Sequence, residues 1–300
     1  MSVIVPSSHS SGEVLQSLRY NSAQAQVEVI DQTLLPHQLV WHPLRSLDQF
    51  CEAIVTMRVR GAPLIGITAA YGLALALRED SSSTRRAAII QQLLATRPTA
   101  VNLRWAMQRM EKILTSLDEK AAVEAALAEA QKMANEDVAV CRAIGDHGLQ
   151  LLTPLALSKN SGPLQVMTHC NAGWLAALRW GTALSPIYRA IEAGIDLHVW
   201  VSETRPRNQG ASLTAWELSQ AGVPHTIIAD NAAGHLMQSG KVDACIVGSD
   251  RTLANGHVCN KVGTYLKALA AHANQVPFYA AVPISSIDWE NTIAADVPIE

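Results

Sequence analysis

The sequence predicts an α/β protein: a parallel sheet with helices on both faces, preceded by a smaller, mainly helical part with a short β-sheet. Two observations establish the class. Between residues 164 and 282, apolar runs alternate with helical patterns, as parallel strands joined by helical crossovers do. Before them the apolar spacing is almost wholly helical. A third observation divides the chain. Pro154, Asn160, Gly162 and Pro163 mark a linker over residues 152–162, giving an N-terminal domain over 1–150 and a C-terminal domain over 151–300.

Each element has its own signal. Residues 12–45 carry short β-like runs such as Val27-Glu28-Val29-Ile30 between turn residues. Leu47, Phe50, Ile54 and Met57 recur at helical spacing and predict a helix over 47–59. Ser46 and Gln49 form a capping box at its start. Gly61-Ala62-Pro63 interrupts the pattern. An alanine-rich helix from Leu64 to about Arg78 follows, small-residued as buried helices are. Ser81 to Arg86 reads as a polar loop. Helical patterns resume over 87–95, 103–117 and 118–151. The second part reads as strand 164–169, helix 172–193, strand 197–201, helix 211–221 and strand 225–229. It continues as helix 231–239, strand 243–247, helix 262–273 and strand 277–282.

Composition excludes several classes of function. With 300 residues, 49% of them hydrophobic, the chain can bury a large core and is not disordered. A formal net charge of −3 gives no general attraction to nucleic acid or to a membrane surface. Met1 to Ser11 is serine-rich and has no basic segment followed by an apolar core, so it does not read as a secretory signal. No apolar run approaches the roughly 20 residues that a bilayer span needs. The five cysteines are scattered without a CxxC pair, which points to reduced thiols in the cytoplasm and against a zinc site.

Chemistry concentrates at the predicted strand ends. His169-Cys170-Asn171-Ala172-Gly173 follows one strand, and Gly248-Ser249-Asp250-Arg251 follows another. In an α/β fold, ligands bind beyond the carboxyl ends of the strands, so Cys170 and Asp250 are expected in one crevice. A thiol beside a carboxylate suits proton transfer. His169 is adjacent in a strand, points to the opposite face and reads as a packed core histidine. Cys51, Cys141, Cys245 and Cys259 have no such setting. Polar loops also follow the strands at Glu203–Gly210 and Asp230-Asn231. A further one runs through Asn260, which can cap the next helix, and Lys261. Arg60-Gly61-Ala62-Pro63 opens a helix whose free N–H groups suit a phosphate, with Arg60 as counter-ion. The same residues also suit a tight helix–helix turn with solvated arginines.

These segments together resemble the methylthioribose-1-phosphate isomerase family, related to the α, β and δ regulatory subunits of the eukaryotic initiation-factor guanine-nucleotide exchange factor. The resemblance runs from about Ile30 to Asp288. It rests on MRVRGAPLIGITAAYGLAL (57–75), RPTAVNLRWAM (97–107), THCNAG (168–173), ETRPRNQGASLTAWEL (203–218), IADNAAGHLM (228–237), VGSDRTLANGHVCNKVGTY (247–265) and PFYAAVPISSID (277–288). It implies a Rossmann-like C-terminal domain and a homodimer. It makes Cys170 and Asp250 the catalytic acid/base pair, and Arg60, Gly61, Ala62, Arg97, Gln209, Asn260 and Lys261 the substrate-binding positions. The implied reaction converts 5-methylthio-α-D-ribose 1-phosphate to 5-methylthio-D-ribulose 1-phosphate in methionine salvage, with no metal and no organic cofactor. Its partner is a small sugar phosphate, not nucleic acid or membrane. Two other readings stay open: an isomerase of 5-deoxyribose 1-phosphate or ribose 1,5-bisphosphate, and a non-catalytic regulatory subunit. Ser249 stands where the family more often has alanine, and Trp174 is unusual for its motif. The chain stops at Glu300, where family members usually continue with another strand and helix.

Overall fold

The computed structural model describes residues 16–297. The readings made on Met1–Ser11 and on the chain end at Pro298–Glu300 lie outside the described residues. The N-terminal part opens with an antiparallel sheet of β1 (Leu18–Asn21), β2 (Gln26–Ile30) and β3 (Trp41–Leu44), in that order. Val27 and Val29 alternate along β2 into the core, and Glu28 points outward to meet Arg19. Helix α1 (Leu47–Val55) carries the expected capping box of Ser46 and Gln49. It ends earlier than the spacing suggests, because Met57 adopts a positive φ of 63°.

Helix α2 (Ala62–Ala76) is apolar on every side, and nearly all of it is buried. Around it pack α1, α3 (Ser83–Thr96), α4 (Val101–Leu114) and the first half of α5 (Glu119–Leu157). Phe50, Leu73, Leu93, Leu103 and Met110 lie in the resulting core. Two expectations fail here. The predicted polar loop 81–86 is already helical from Ser83, with Ser82 as its cap. The predicted linker is helical up to Leu157, with Pro154 in the last turn, and Leu152 is buried in the second core.

The C-terminal part begins with β4 (Leu164–Thr168). The expected long helix over 172–193 is instead a 3-10 turn (Trp174–Ala176), an irregular stretch and α6 (Ser185–Glu192). Then come β5 (Leu197–Ser202), a π-helical turn (Gly210–Thr214) running into α7 (Ala215–Gln220), β6 (His225–Ile228), α8 (Ala232–Gln238) and β7 (Ala244–Val247). The expected loop after β7 contains β8 (Arg251–Leu253) and β9 (Val258–Cys259), and α9 (Thr264–Ala273), β10 (Phe278–Ala280) and β11 (Ile287–Asp288) follow. Strands β8, β9 and β11 form a small sheet that the sequence reading missed.

The main sheet has the order β10-β7-β4-β5-β6, and every pairing in it is parallel. One apolar cluster, with Ile187 and Leu218, covers one face; another, with Ala233, Met237 and Ala271, covers the other. The chain runs outward from β4 to β5 and β6, then returns to place β7 on the opposite side of β4. The strand order therefore reverses between β4 and β7, and a crevice opens at their carboxyl ends. Cys170 follows β4 and Asp250 follows β7.

Arg86 explains part of the failed loop reading. It is buried on α3 and donates from Nε to the Ser81 carbonyl, from Nη1 to those of Leu114 and Leu117, and from Nη2 to that of Asp118. Leu114, Leu117 and Asp118 lie at the end of α4 and in the turn into α5, and Ser81 lies just before α3. The Leu114 and Asp118 carbonyls also accept from the N–H groups of Leu117 and Ala122, so Arg86 adds a charged donor to carbonyls at a helix end. The Arg86→Met variant is expected to lose about 2–4 kcal/mol of stability in urea denaturation, because charged hydrogen bonds are lost. A change below about 0.5 kcal/mol, the scale of an ordinary surface substitution, would show that those bonds are not needed.

Candidate active site

Cys170 is buried in a left-handed backbone conformation, φ 64°. That conformation costs a non-glycine residue about 1–2 kcal/mol, so neighbours must hold it. The Cys170 N–H donates to Thr204 Oγ1 at 2.9 Å, and Thr214 Oγ1 donates to the Cys170 carbonyl at 2.7 Å. No α-helix begins here; a 3-10 turn follows at Trp174–Ala176. Burial dominates and raises the thiol pKa. Arg60, the Asn171 N–H and Lys261 oppose the rise, and Asp250 adds to it. The thiol is therefore protonated near neutral pH.

The segment after Cys170 is organised by Glu217, which the sequence reading passed over. This α7 carboxylate is fully buried. Its Oε1 accepts from Asn171 Nδ2 (2.8 Å) and the Leu175 N–H (2.9 Å). Its Oε2 accepts from the Trp174 N–H (2.9 Å) and the Tyr188 hydroxyl (3.2 Å). Burial lifts the carboxyl to about 7 against the pull of these donors. Gly173 is obligatory beside it, since a Cβ there would lie 1.8 Å from Oε2. The one available signal was an acid on the predicted buried face of helix 211–221. Trp174, unusual for its motif, is buried against Trp216.

Asn171 passes the arrangement on to the N-terminal part. Its Oδ1 accepts from Arg60 Nη1 at 2.7 Å, and its carbonyl accepts from Arg60 Nη2 at 3.3 Å. Arg60 is thus tied to the Cys170 loop, and the solvated-turn reading fails for it. Gly61 starts α2 with φ 95°, and a Cβ there would lie 2.3 Å from Ala176 Cα. The close approach brings the uncapped N-terminus of α2 to the crevice, where Gly61, Ala62 and Pro63 form one wall. Cys170, Asn171, Asp250 and Asn260 contribute to the others.

The remaining expected residues differ in placement. Asp250 is exposed at the mouth of the crevice. Asn260 does not cap α9: its Nδ2 donates to Thr264 Oγ1 at 3.0 Å, and Gly263 precedes the helix. Lys261 is half-buried and close enough for its charge to act on both Cys170 and His169. Gln209 is buried behind the wall after β5, and its Oε1 has no hydrogen-bond partner among the described residues. Arg97 is half-buried just after α3 and is not part of the crevice wall. Its loop is held to the Asp250 side because Arg251 bonds the Thr99 carbonyl at 2.8 Å and Asp288 at 3.0 Å.

His169 has the scaffold role its strand position suggested. It is buried, its ring bonds the Val262 carbonyl at 2.7 Å, and burial together with Lys267 lowers its pKa to about 4. Asp230, in the polar loop after β6, accepts the N–H groups of Thr204 and Arg205. Among the described residues no group of three or more His, Cys, Asp or Glu is arranged to hold a metal, and no helix is long and apolar enough to cross a membrane. The crevice therefore joins a protonated thiol, a solvent-facing carboxylate and a helix N-terminus with an arginine, a set suited to an anionic, hydroxyl-bearing ligand.

Comparison with known proteins agrees with that chemistry. Residues 58–300 match the model of the initiation factor 2 subunit family. A Methylorubrum populi protein named methylthioribose-1-phosphate isomerase is 61% identical over 277 residues, which is 91% of this chain and 75% of that protein. The crystal structure of 5-methylthioribose 1-phosphate isomerase from Pyrococcus horikoshii OT3 superposes with a TM-score of 0.83 at 38% identity, covering 96% of this chain and 80% of that one. A structure from A. fulgidus, described as translation initiation factor eIF-2B subunit delta, gives 0.79 at 40% identity, covering 95% and 82%. The chain belongs to the initiation factor 2 subunit family and is a relative of its methylthioribose-1-phosphate isomerases.

Proposed function

We infer that this protein is an aldose–ketose isomerase that converts 5-methylthio-α-D-ribose 1-phosphate to 5-methylthio-D-ribulose 1-phosphate in methionine salvage. The observation that carries the reading is the high identity to relatives of that name, in a chain that keeps Cys170 and Asp250 on adjoining strand ends. The substrate's anomeric oxygen carries phosphate, so the sugar cannot open to a free aldehyde in the ordinary way. The ring oxygen must take a proton as its bond to C1 breaks, the C2 hydroxyl must lose one, and hydrogen must move from C2 to C1.

Cys170 and Asp250 are the pair we assign to the proton steps. The protonated thiol suits a group that handles a proton at the sugar carbon or hydroxyl. Asp250, which lines the same crevice as Cys170, acts as the acid in this reading. The phosphate sits against the N-terminus of α2, at Gly61 and Ala62, with Arg60 beside it. Asn260 and Lys261 complete the substrate contacts in this reading. Arg97 and Gln209, also expected to bind substrate, stand outside the crevice wall and would reach the sugar only if the walls move on binding. A regulatory subunit would not need both Cys170 and Asp250.

The identity of the sugar's fifth carbon substituent is supported by a second cavity. It adjoins the crevice through Pro63 and Pro283 and is lined by Ile67, Trp105, Met133 and Val140. Its only ionisable lining groups among the described residues are Glu136 and Asp137. An apolar wall with carboxylates accepts a methylthio group and repels a second phosphate, which favours the 5-thio sugar over ribose 1,5-bisphosphate. The same reading includes a division near residue 150 into a helical and a Rossmann-like domain, and the separate apolar clusters on either side support it. It also includes a cytoplasmic location, in keeping with the free cysteines, and a homodimer. Tyr265, Leu266 and Leu269 on α9, with Val262 just before it, form an exposed apolar stripe that suits a second copy.

Purified protein is expected to isomerise 5-methylthioribose 1-phosphate with a higher kcat/KM than 5-deoxyribose 1-phosphate or ribose 1,5-bisphosphate. A preference for the bisphosphate, or binding without turnover, would overturn the assignment. Cys170→Ser is expected to lower kcat about 100-fold or more, the usual scale for a lost proton-transfer group, with KM changed only a few-fold. An unchanged kcat removes Cys170 from the mechanism. Leu266→Glu on α9 is expected to convert the dimer to monomer in analytical ultracentrifugation; a dimer of unaltered strength would show that the interface lies elsewhere.

A further inference from the structure

We propose that Thr204 and Thr214 are positioning residues for the isomerase reaction, acting as a hydroxyl clamp that fixes the left-handed backbone of Cys170 and so aims its thiol. The inference rests on the role given to Cys170 above. Both threonines are fully buried, and neither is part of the crevice wall, so they act on the main chain of Cys170 and not on a ligand.

The clamp closes on Cys170 from both sides. On its N–H side, Thr204 Oγ1 accepts at 2.9 Å and donates onward to the Ser202 carbonyl at 3.0 Å. On its carbonyl side, Thr214 Oγ1 donates at 2.7 Å and accepts from Asn171 Nδ2 at 3.2 Å. Each hydroxyl thus uses its proton and a lone pair at once, which fixes its direction. A valine has the same shape and can do neither.

Two further features show that the surroundings over-determine this geometry. Thr204 itself has φ 67°, an outlier for a β-branched residue. Its N–H is held by Asp230 Oδ1 at 2.8 Å, from the end of the adjacent strand β6. Thr214 closes the π-helical turn that begins at Gly210. The extra residue of such a turn shifts the helix phase, and here it accompanies a hydroxyl directed at the end of β4. Two neighbouring strand ends, each with a left-handed residue, are therefore bonded to one another. The result is a turn in which the Asn171 N–H faces the Cys170 sulfur. Proton transfer depends steeply on such alignment.

The test uses the full chain with Thr204→Val, Thr214→Val, Thr204→Ser and Thr214→Ser. One readout is the kinetics of 5-methylthioribose 1-phosphate isomerisation. The other is the rate at which methyl methanethiosulfonate labels Cys170, followed by peptide mass. The valine variants are expected to lose about tenfold or more in kcat with KM within about threefold, and to change the labelling rate about fivefold or more. The serine variants, which restore the hydroxyl, are expected to return both values to within about threefold of wild type. An unaltered labelling rate in a folded valine variant, or a serine variant as impaired as its valine counterpart, overturns the proposal. If Thr204→Val does not fold, the Thr214 pair decides. A wild-type protein that does not isomerise the sugar defeats the assigned function alone, and the labelling rates still decide the clamp.

Discussion

A carboxylate sealed away from water must find its hydrogen bonds inside the protein, and Glu217 finds them by folding a loop around itself. Two backbone N–H groups, a side-chain amide and a phenol converge on its two oxygens. Leaving a buried charge unmatched costs several kcal/mol, so the 171–175 segment has little freedom to relax away from it. That segment carries Asn171, which holds Arg60, and Gly173, whose missing side chain admits the carboxylate. The crevice walls from both parts of the chain are thus arranged around a buried carboxyl group that is not itself part of the wall.

The contacts between the two parts repeat the theme of polar groups matched across a boundary. Asn102 on α4 donates to Ser285 Oγ and accepts from Ser286 Oγ, fastening the loop before β11 to the helical part. Arg251, next to Asp250, reaches the Thr99 carbonyl in the loop that carries Arg97. Arg60 reaches Asn171 in the other direction. Each of these links joins a helix or loop of the first part to a strand end of the second. Geometry at the crevice therefore follows from specific directional bonds as well as from apolar packing.

What was legible in the sequence was what short-range pattern controls. The buried strands β4, β5 and β7 read as apolar runs, α2 as a small-residued helix, and the Ser46–Gln49 cap as a pair three residues apart. The co-location of Cys170 and Asp250 followed from chain order and the strand-end rule. What escaped depends on partners distant in sequence. Helix 172–193 is broken at Ala177, whose backbone is extended, and at Trp180 and Gly181, whose φ values are 70° and 76°, and local propensity cannot anticipate that. Arg86 looks like a loop residue until the end of α4 is brought beside it. Strands β8, β9 and β11 are two or three residues long and carry no periodicity to detect. The left-handed turn at Cys170 is set by two threonines 34 and 44 positions away.

Helix α5 has one further consequence. It supplies Ala122, Ala126, Ala130 and Met133 to the core of the first part and Leu152 to the core of the second. At about 1.5 Å per residue, its 39 residues extend nearly 60 Å without a break. A single rigid element thus has a buried face in each core. Neither core can melt without baring apolar surface on a helix the other still needs, so the two parts share one unfolding transition although their interiors are separate.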